Sequence, residues 1–271
     1  MSESIRKRAY AKINLFLRVL GKKGEYHEIE SLLQSVDLYD EITLSKRKDD
    51  AITGDFPGDN SLVVLEKLAR TFSLGGMHLS VKKNIPIGGG LGGSTADAAA
   101  AAQACAELWG LDLKKVKETA APLFGDLAFQ MTGGIAVARG FGEKIESLPP
   151  LPPFTVLLAF PKKGVSTKEA YALSDSFPKE AGRGLSLYWA LTRGEKADRF
   201  YVNDLLAPAM ELNEEIAPLL DRMKDDRALL SGMTGSGSTL FSIYRKEAEA
   251  ESMAKTLPCR TLITRTIASF S

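Results

Sequence analysis

The chain is poor in residues that build covalent or metal-held scaffolds: its 271 residues include two cysteines, Cys105 and Cys259. They are too few and too far apart for a disulfide framework or a metal cluster, and they suit a reducing compartment. An excess of charge of one sign is missing as well. The 35 Lys+Arg are matched by 34 Asp+Glu, a formal net charge of +1, so the surface as a whole has no field for collecting a polyanion such as DNA or for settling on a membrane. Nucleic-acid and membrane partners are therefore not expected, and an anionic ligand must be met by a local site. No apolar run is long enough to span a bilayer, and the opening Met1-Ser2-Glu3-Ser4-Ile5-Arg6-Lys7-Arg8 lacks the apolar stretch of a secretory signal. A cytoplasmic location is the expectation. Repeats of solenoid length and low-complexity segments are absent too. What remains is an ordinary composition, 44% hydrophobic and 25% charged, able to bury a sizeable core and far from the disordered or fibrous classes.

The clearest punctuation is Leu148-Pro149-Pro150-Leu151-Pro152-Pro153, where paired prolines remove amide donors and fix φ, so neither a helix nor a central strand passes through. It predicts two domains, 1–148 and 154–271. In the first, Lys12 to Val19 alternates, placing Ile13, Leu15, Leu17 and Val19 on one strand face and Lys12 and Asn14 on the other. Shorter strands are expected over 41–46, 77–82 and 135–139, and helices over 60–72 and 96–108. In the second, strands are expected over 154–160, 239–244 and 261–267. Helices are expected over 167–174, over 204–224 with breaks near Pro208 and Pro218, and over 246–256. Strands and helices intermix without strict βαβ alternation, which favours an α+β fold with helices layered on sheets over a doubly wound one.

Chemistry concentrates in Pro86-Ile87-Gly88-Gly89-Gly90-Leu91-Gly92-Gly93-Ser94-Thr95-Ala96-Asp97, which runs straight into the alanine-rich helix. Glycines let backbone amides approach a phosphate with no Cβ in the way, and a helix N-terminus adds free N–H groups and about half a positive charge. The bland alternative is a flexible turn with a helix cap, but so many glycines are entropically costly unless something needs the exposed backbone. No Lys-Ser or Lys-Thr pair closes the loop as in a Walker A motif. Gly88, Gly90 and Gly93 do match G-x-G-x-x-G. A dinucleotide fold is disfavoured because Pro86 and Lys82-Lys83-Asn84 separate the loop from its strand and because Glu107 falls within the helix.

A proline, a loop of the form G-L-G-G-S-T-A and an alanine-rich helix resemble the phosphate-binding motif of the GHMP kinase superfamily of small-molecule kinases. Further segments, in order along nearly the whole chain, resemble one member family. They are Ala11-Lys12-Ile13-Asn14-Leu15-Phe16-Leu17, Tyr26-His27, Asn84-Ile85-Pro86, Gly133-Gly134, Arg139-Gly140-Phe141-Gly142-Glu143, Val165-Ser166-Thr167-Lys168-Glu169-Ala170-Tyr171, Asn203-Asp204-Leu205 and Met233-Thr234-Gly235-Ser236-Gly237-Ser238. The resemblance implies a two-domain fold with the active site in the interdomain cleft. It also implies phosphoryl transfer from ATP to the 2-hydroxyl of a cytidine-diphosphate-linked methylerythritol, a step of the non-mevalonate route to isoprenoids. Residues 86–96 would then bind ATP. Mg²⁺ would be held through the ATP phosphates, with Ser94 or Thr95 as candidate protein ligands. Lys12 and Asp126 would flank the acceptor hydroxyl. A carboxylate and an ammonium together meet the needs of phosphoryl transfer, which are a placed nucleophile, a proton acceptor and charge neutralisation. Tyr26 and His27 would bind the cytosine by stacking and by bonding its edge, Tyr171 would close the opposite face of the base, and Thr167 and Asn14 would add polar contacts. Without the resemblance, Lys12 reads as an exposed strand lysine, Asp126 as a turn aspartate, and Tyr26-His27 as surface decoration. His78 reads as structural, and Asn203-Asp204 as a helix cap. The rival functions are another GHMP kinase acting on homoserine or mevalonate, and an NAD-dependent oxidoreductase.

Overall fold

The computed structural model describes residues 3–24, 26–179 and 182–269, so Met1 and Ser2 of the N-terminal segment read above lie outside it. The first half runs through β1 (Ser4–Lys23), β2 (Tyr26–Lys46), β3 (Ile52–Gly54), α1 (Asn60–Phe72), β4 (Met77–Lys82), α2 (Gly93–Trp109), α3 (Leu113–Ala120), α4 (Leu127–Gln130), β5 (Ile135–Gly140) and β6 (Lys144–Ser147). The second runs through β7 (Thr155–Phe160), α5 (Thr167–Ser174), α6 (Gly184–Thr192), α7 (Leu206–Leu212), α8 (Ile216–Met223), β8 (Leu230–Met233), β9 (Leu240–Tyr244), α9 (Glu247–Ala254) and β10 (Arg260–Arg265). Among the described residues these strands form two sheets. The first has the order β3-β4-β2-β5-β6, with β1 along the other edge of β2; the second has the order β10-β7-β9-β8. All pairings are antiparallel except β3 with β4. The proline segment 148–153 is neither helix nor strand and joins the two sheets.

The hairpin β1–β2 is the spine of the first sheet, and β1 departs from the simple alternation its sequence predicts. Its register shifts between Tyr10 and Lys12, between Asn14 and Phe16, and between Val19 and Gly21. A bulge puts two residues opposite one and re-aims those that follow. The single apolar face expected over 13–19 therefore splits. Ile13, Leu15 and Phe16 enter the core under α2, while Leu17 and Val19 enter a second core with Leu157, Leu205 and Leu240. Lys12 and Asn14, expected on an outer face, are each only 3% exposed. Both sides of the strand are covered.

Helix α2 sits against β1, β2 and α1 with ten buried residues, mostly alanines. Alanine has the best intrinsic helix propensity, and its small side chain allows close approach to the sheet. The one long helix expected over 204–224 is two helices, and its prolines do not break it where expected. Pro208 and Pro218 lie in the first turns of α7 and α8, where a missing N–H costs nothing. The break falls at Asn213, whose side-chain oxygen accepts from the Glu215 amide and whose Nδ2 donates to the Lys163 carbonyl.

Candidate active site

A cleft of about 550 Å³ lies between the two sheets, lined by Lys12 and Asn14 of β1, the glycine loop, Asp126, Thr167 and Tyr171 of α5, and Gly235 and Ser236. A hollow of similar size, about 580 Å³, lies over β1, β2 and β4, but there Arg6, Arg8 and Lys82 stand among Glu41 and Asp55 with no glycine loop. The cleft between the sheets is the one that brings a glycine loop together with buried charged and hydroxyl side chains.

The cleft floor is built on β1. The Lys12 amide donates to the Leu91 carbonyl at 3.0 Å, tying the strand to the glycine loop. The Lys12 ammonium, 4% exposed, lies 2.5 Å from Asn14 Oδ1 and 3.4 Å from Asp126 Oδ2. Asn14 cannot swing away, because its Nδ2 donates to Ser31 Oγ at 2.8 Å and its backbone N–H donates to Thr234 Oγ1 at 3.0 Å. A buried cation needs such partners to offset its desolvation. Asp126 stands at the head of α4 without capping it, which leaves its carboxylate to Lys12 and the cleft. Its approach is fixed from behind: a Cβ on Gly125 would lie 2.4 Å from the Phe141 carbonyl oxygen, and one on Gly142 would lie 2.6 Å from the Gly125 carbonyl oxygen. The two backbones touch, which explains the glycines on both sides of the contact.

The glycine loop is held from both halves. Gly88, Gly90 and Gly92 have φ of 71°, 74° and 72°, the left-handed region that favours glycine. A Cβ on Gly90 would stand 2.4 Å from the Thr234 carbonyl oxygen, and one on Gly92 2.9 Å from Gln130 Nε2. The loop ends on Gly92, which offers α2 no side-chain cap, so the first-turn donors are free for an anion. Ser94 Oγ donates to Asp59 Oδ2 at 3.2 Å and Thr95 Oγ1 to the Gly92 carbonyl at 2.9 Å. Among the described residues no cluster of three or more His, Cys, Asp or Glu could cage a metal ion.

The entry to this loop rests on a buried charge cluster that sequence reading missed. Lys83 reaches Asp40 at 2.5 Å and Asp97, one turn into α2, at 2.7 Å. Asp40 also accepts from the Asn84 and Ile85 amides. Burial pulls the Lys83 ammonium down, but the two carboxylates outweigh it and its pKa is raised. Burial pushes Asp97 up to about 7, opposed by Lys83 and reinforced by Asp40. A doublet of lysines before Asn84-Ile85-Pro86 was the only local signal, since Asp40 lies far off in the chain.

From the second half, Thr167 Oγ1 and Ser236 Oγ are 2.8 Å apart. The Thr234–Gly237 loop is held by Asn203, whose Nδ2 donates to the carbonyls of Met233 and Gly235 at 2.9 and 3.0 Å. The helix cap expected at Asn203 is not made, since α7 starts after Leu205 with no side-chain cap; Asn203 Oδ1 accepts from the Leu205 amide in the preceding turn, and the residue anchors this wall of the cleft. His27, 9% exposed in its side chain, stacks on Tyr171 at 5.2 Å and meets Asp175 Oδ1 through Nε2 at 2.9 Å. Burial, then the charge of Asp126, raises the Tyr171 hydroxyl above the usual phenol range. Tyr26 does not line the cleft; it is 70% exposed and edge-on to Phe141 at 6.1 Å. Glu25 before it lies outside the described residues. His78, as expected, is tied into its sheet by Thr53 Oγ1 at 2.8 Å.

The family profile "GHMP kinases N terminal domain" matches residues 60–142, and "GHMP kinases C terminal" matches residues 180–263. The fold and cleft thus define a GHMP kinase. The 4-diphosphocytidyl-2-C-methyl-D-erythritol kinase of Desulfitobacterium hafniense (strain Y51) is 38% identical over 258 residues, 91% of this chain and 89% of that one. The enzyme of the same name from Rhizobium etli (strain CIAT 652) is 35% identical over 268 residues, covering 92% and 89%. A crystal structure of 4-(cytidine 5'-diphospho)-2C-methyl-D-erythritol kinase superposes with a TM-score of 0.83 at 28% identity, over 97% of this chain and 99% of that one. Homoserine kinase from Cytophaga hutchinsonii shares the fold, with a TM-score of 0.70 at 18% identity over 100% and 96%. The chain belongs to the 4-diphosphocytidyl-2-C-methyl-D-erythritol kinase family.

Proposed function

We propose that the protein transfers the γ-phosphoryl group of ATP to the 2-hydroxyl of 4-diphosphocytidyl-2-C-methyl-D-erythritol. The observation that carries this reading is the Lys12–Asp126 pair, 3.4 Å apart and facing an anion cradle across one cleft. Asp126 accepts the hydroxyl proton as the oxygen attacks phosphorus, and Lys12 holds that carboxylate in place and offsets charge on the phosphoryl oxygens. Residues 86–96 hold the ATP phosphates through amides left open by the uncapped α2. The hydroxyls of Ser94 and Thr95 are the groups that would hold Mg²⁺ beside the phosphates, and the ion would supply charge neutralisation. Thr167, Tyr171 and His27 receive the cytidine end, and the exposed ring of Tyr26 offers a stacking surface next to His27. The two free cysteines and the near-neutral surface fit a cytoplasmic enzyme acting on a small molecule. No helix among the described residues is long and apolar enough to cross a membrane.

The test is incubation of the purified protein with ATP, Mg²⁺ and each of three acceptors, the cytidine-linked methylerythritol, homoserine and mevalonate, with mass spectrometry of the products. Phosphorylation of the cytidine compound alone is expected. Phosphorylation of homoserine or mevalonate instead would overturn the assignment.

A further inference from the structure

Asp126 stands before α4, a helix of four residues and too short to hold its own shape. Burial of Leu127 and Phe129 fixes how deep this turn sits, but apolar contact is non-directional and leaves the roll of the turn to polar ties. Two of these hold its far end: Gln103 Nε2 donates to the Met131 carbonyl at 3.4 Å, and Lys117 Nζ donates to Thr132 Oγ1. Another faces the glycine loop. Gln130 Nε2 donates to the Gly92 carbonyl at 3.3 Å. A Cβ on Gly92 would lie 2.9 Å from that nitrogen and 3.0 Å from Lys12 Cε, so Gly92 is wedged between Gln130 and the stem of Lys12. Gln130 follows Asp126 by four residues, and its backbone amide donates to the Asp126 carbonyl at 2.9 Å. That spacing stacks the two side chains on one face.

The loop does not need the Gln130 bond to satisfy its own carbonyl. Gly92 O already accepts from the Ala96 amide and from Thr95 Oγ1, both at 2.9 Å. Gln130 is 2% exposed, and its Oε1 meets no hydrogen-bond partner among the described residues, so the amide is buried at a cost. An apolar side chain of similar shape would be no less stable there. What the amide adds is a fixed distance between α4 and the loop.

We propose that Gln130 is a positioning residue whose side-chain amide ties the turn bearing Asp126 to the glycine loop, and so sets the reach of the proton acceptor to the line of phosphoryl transfer. The role rests on the reading of Asp126 as that acceptor. Gln130 does not line the cleft and acts through placement alone. A misplacement of about 1 Å between reacting groups costs on the order of 10²-fold in rate.

The experiment compares the wild-type protein with Gln130→Met, which keeps length and loses the amide, and with the shorter Gln130→Leu in case methionine packs badly. With either, kcat is expected to fall about 10–10²-fold, while KM for ATP and for the acceptor stays within about twofold and Tm is unchanged or higher. An unchanged kcat, a loss carried by KM, or a fall in Tm of several degrees would overturn the proposal. Placed in an Asp126→Asn background, Gln130→Met should cost no further turnover; an equal further loss would show that Gln130 acts elsewhere than through Asp126. Amide hydrogen exchange, followed by mass spectrometry, needs no substrate. The amides of α4 should exchange faster in Gln130→Met than in wild type, and unchanged protection would overturn the tie. A wild-type protein that phosphorylates none of the three acceptors would instead sink the functional reading, whatever the exchange shows.

Discussion

At Asp126 the local helix makes no use of a side chain well placed to cap it, and that idleness marks the residue as much as its ion pair does. Asp126→Asn keeps the shape and removes the carboxylate proposed as the proton acceptor. Turnover should fall by about 10²–10⁴-fold while ATP affinity, measured by calorimetry, stays within about twofold; retained turnover would exclude Asp126 as the base. Sequence alone made Lys12 and Asp126 unremarkable, and only the resemblance singled them out. The structure gives reasons that a linear reading could not contain: Asn14 locks Lys12, and the touching backbones of Gly125 and Gly142 set Asp126. The glycine loop was legible without help, because an excess of glycine before a helix is a local statement. The Asp175 contact to His27 was not, since nothing within either segment refers to the other.

At the scale of elements, α2 is held at its start by ion pairs and along its length by alanine packing. Asp97 links the two. Its pKa is raised from 3.8 to about 7, by burial first, so the folded protein binds a proton there that the unfolded chain has released. That contribution to stability is present below about pH 4 and is lost as pH rises through about 7. Asp97→Asn, which does not titrate, should therefore gain on the wild-type protein as pH rises over this range, by several degrees in Tm measured by calorimetry. A difference in Tm independent of pH would mean that Asp97 carries the same proton folded and unfolded. The helices α1, α2 and α5 were readable from spacing and caps. Six elements were missed for physical reasons: α6 is apolar on several sides and shows no stripe, β3, β6, β8 and α4 have only three or four residues each, and α3 is short, although Asp112 caps it by accepting from the Lys114 amide at 2.9 Å. The bulges of β1 leave no mark in the hydrophobic pattern, so its apolar face was read as one when it is two.

The whole molecule is more unified than its proline boundary suggests. One core cluster joins Ile13, Phe16 and the alanines of α2 to Phe154, Val156, Tyr188 and Phe241, so the two sheets share apolar contacts rather than owning separate interiors. Unfolding should be one cooperative transition. The two tryptophans, Trp109 and Trp189, lie in different halves, so denaturation of Trp109→Phe and Trp189→Phe variants should give coincident midpoints; separate midpoints would show independent domains. Sequence pattern marks residues as apolar but not which sheet they serve, which is why the proline segment stood out and the shared core did not. The far end of β1 shows what this sharing costs during synthesis. Leu17 pairs its backbone with Val202 and Asp204, and the Val19 amide donates to the Asp204 side chain. A ribosome adding about 5–20 residues per second leaves that stretch waiting roughly ten to forty seconds for partners some 185 residues downstream. For that interval the nascent chain exposes an apolar strand end, a natural client for a chaperone that shields growing polypeptides.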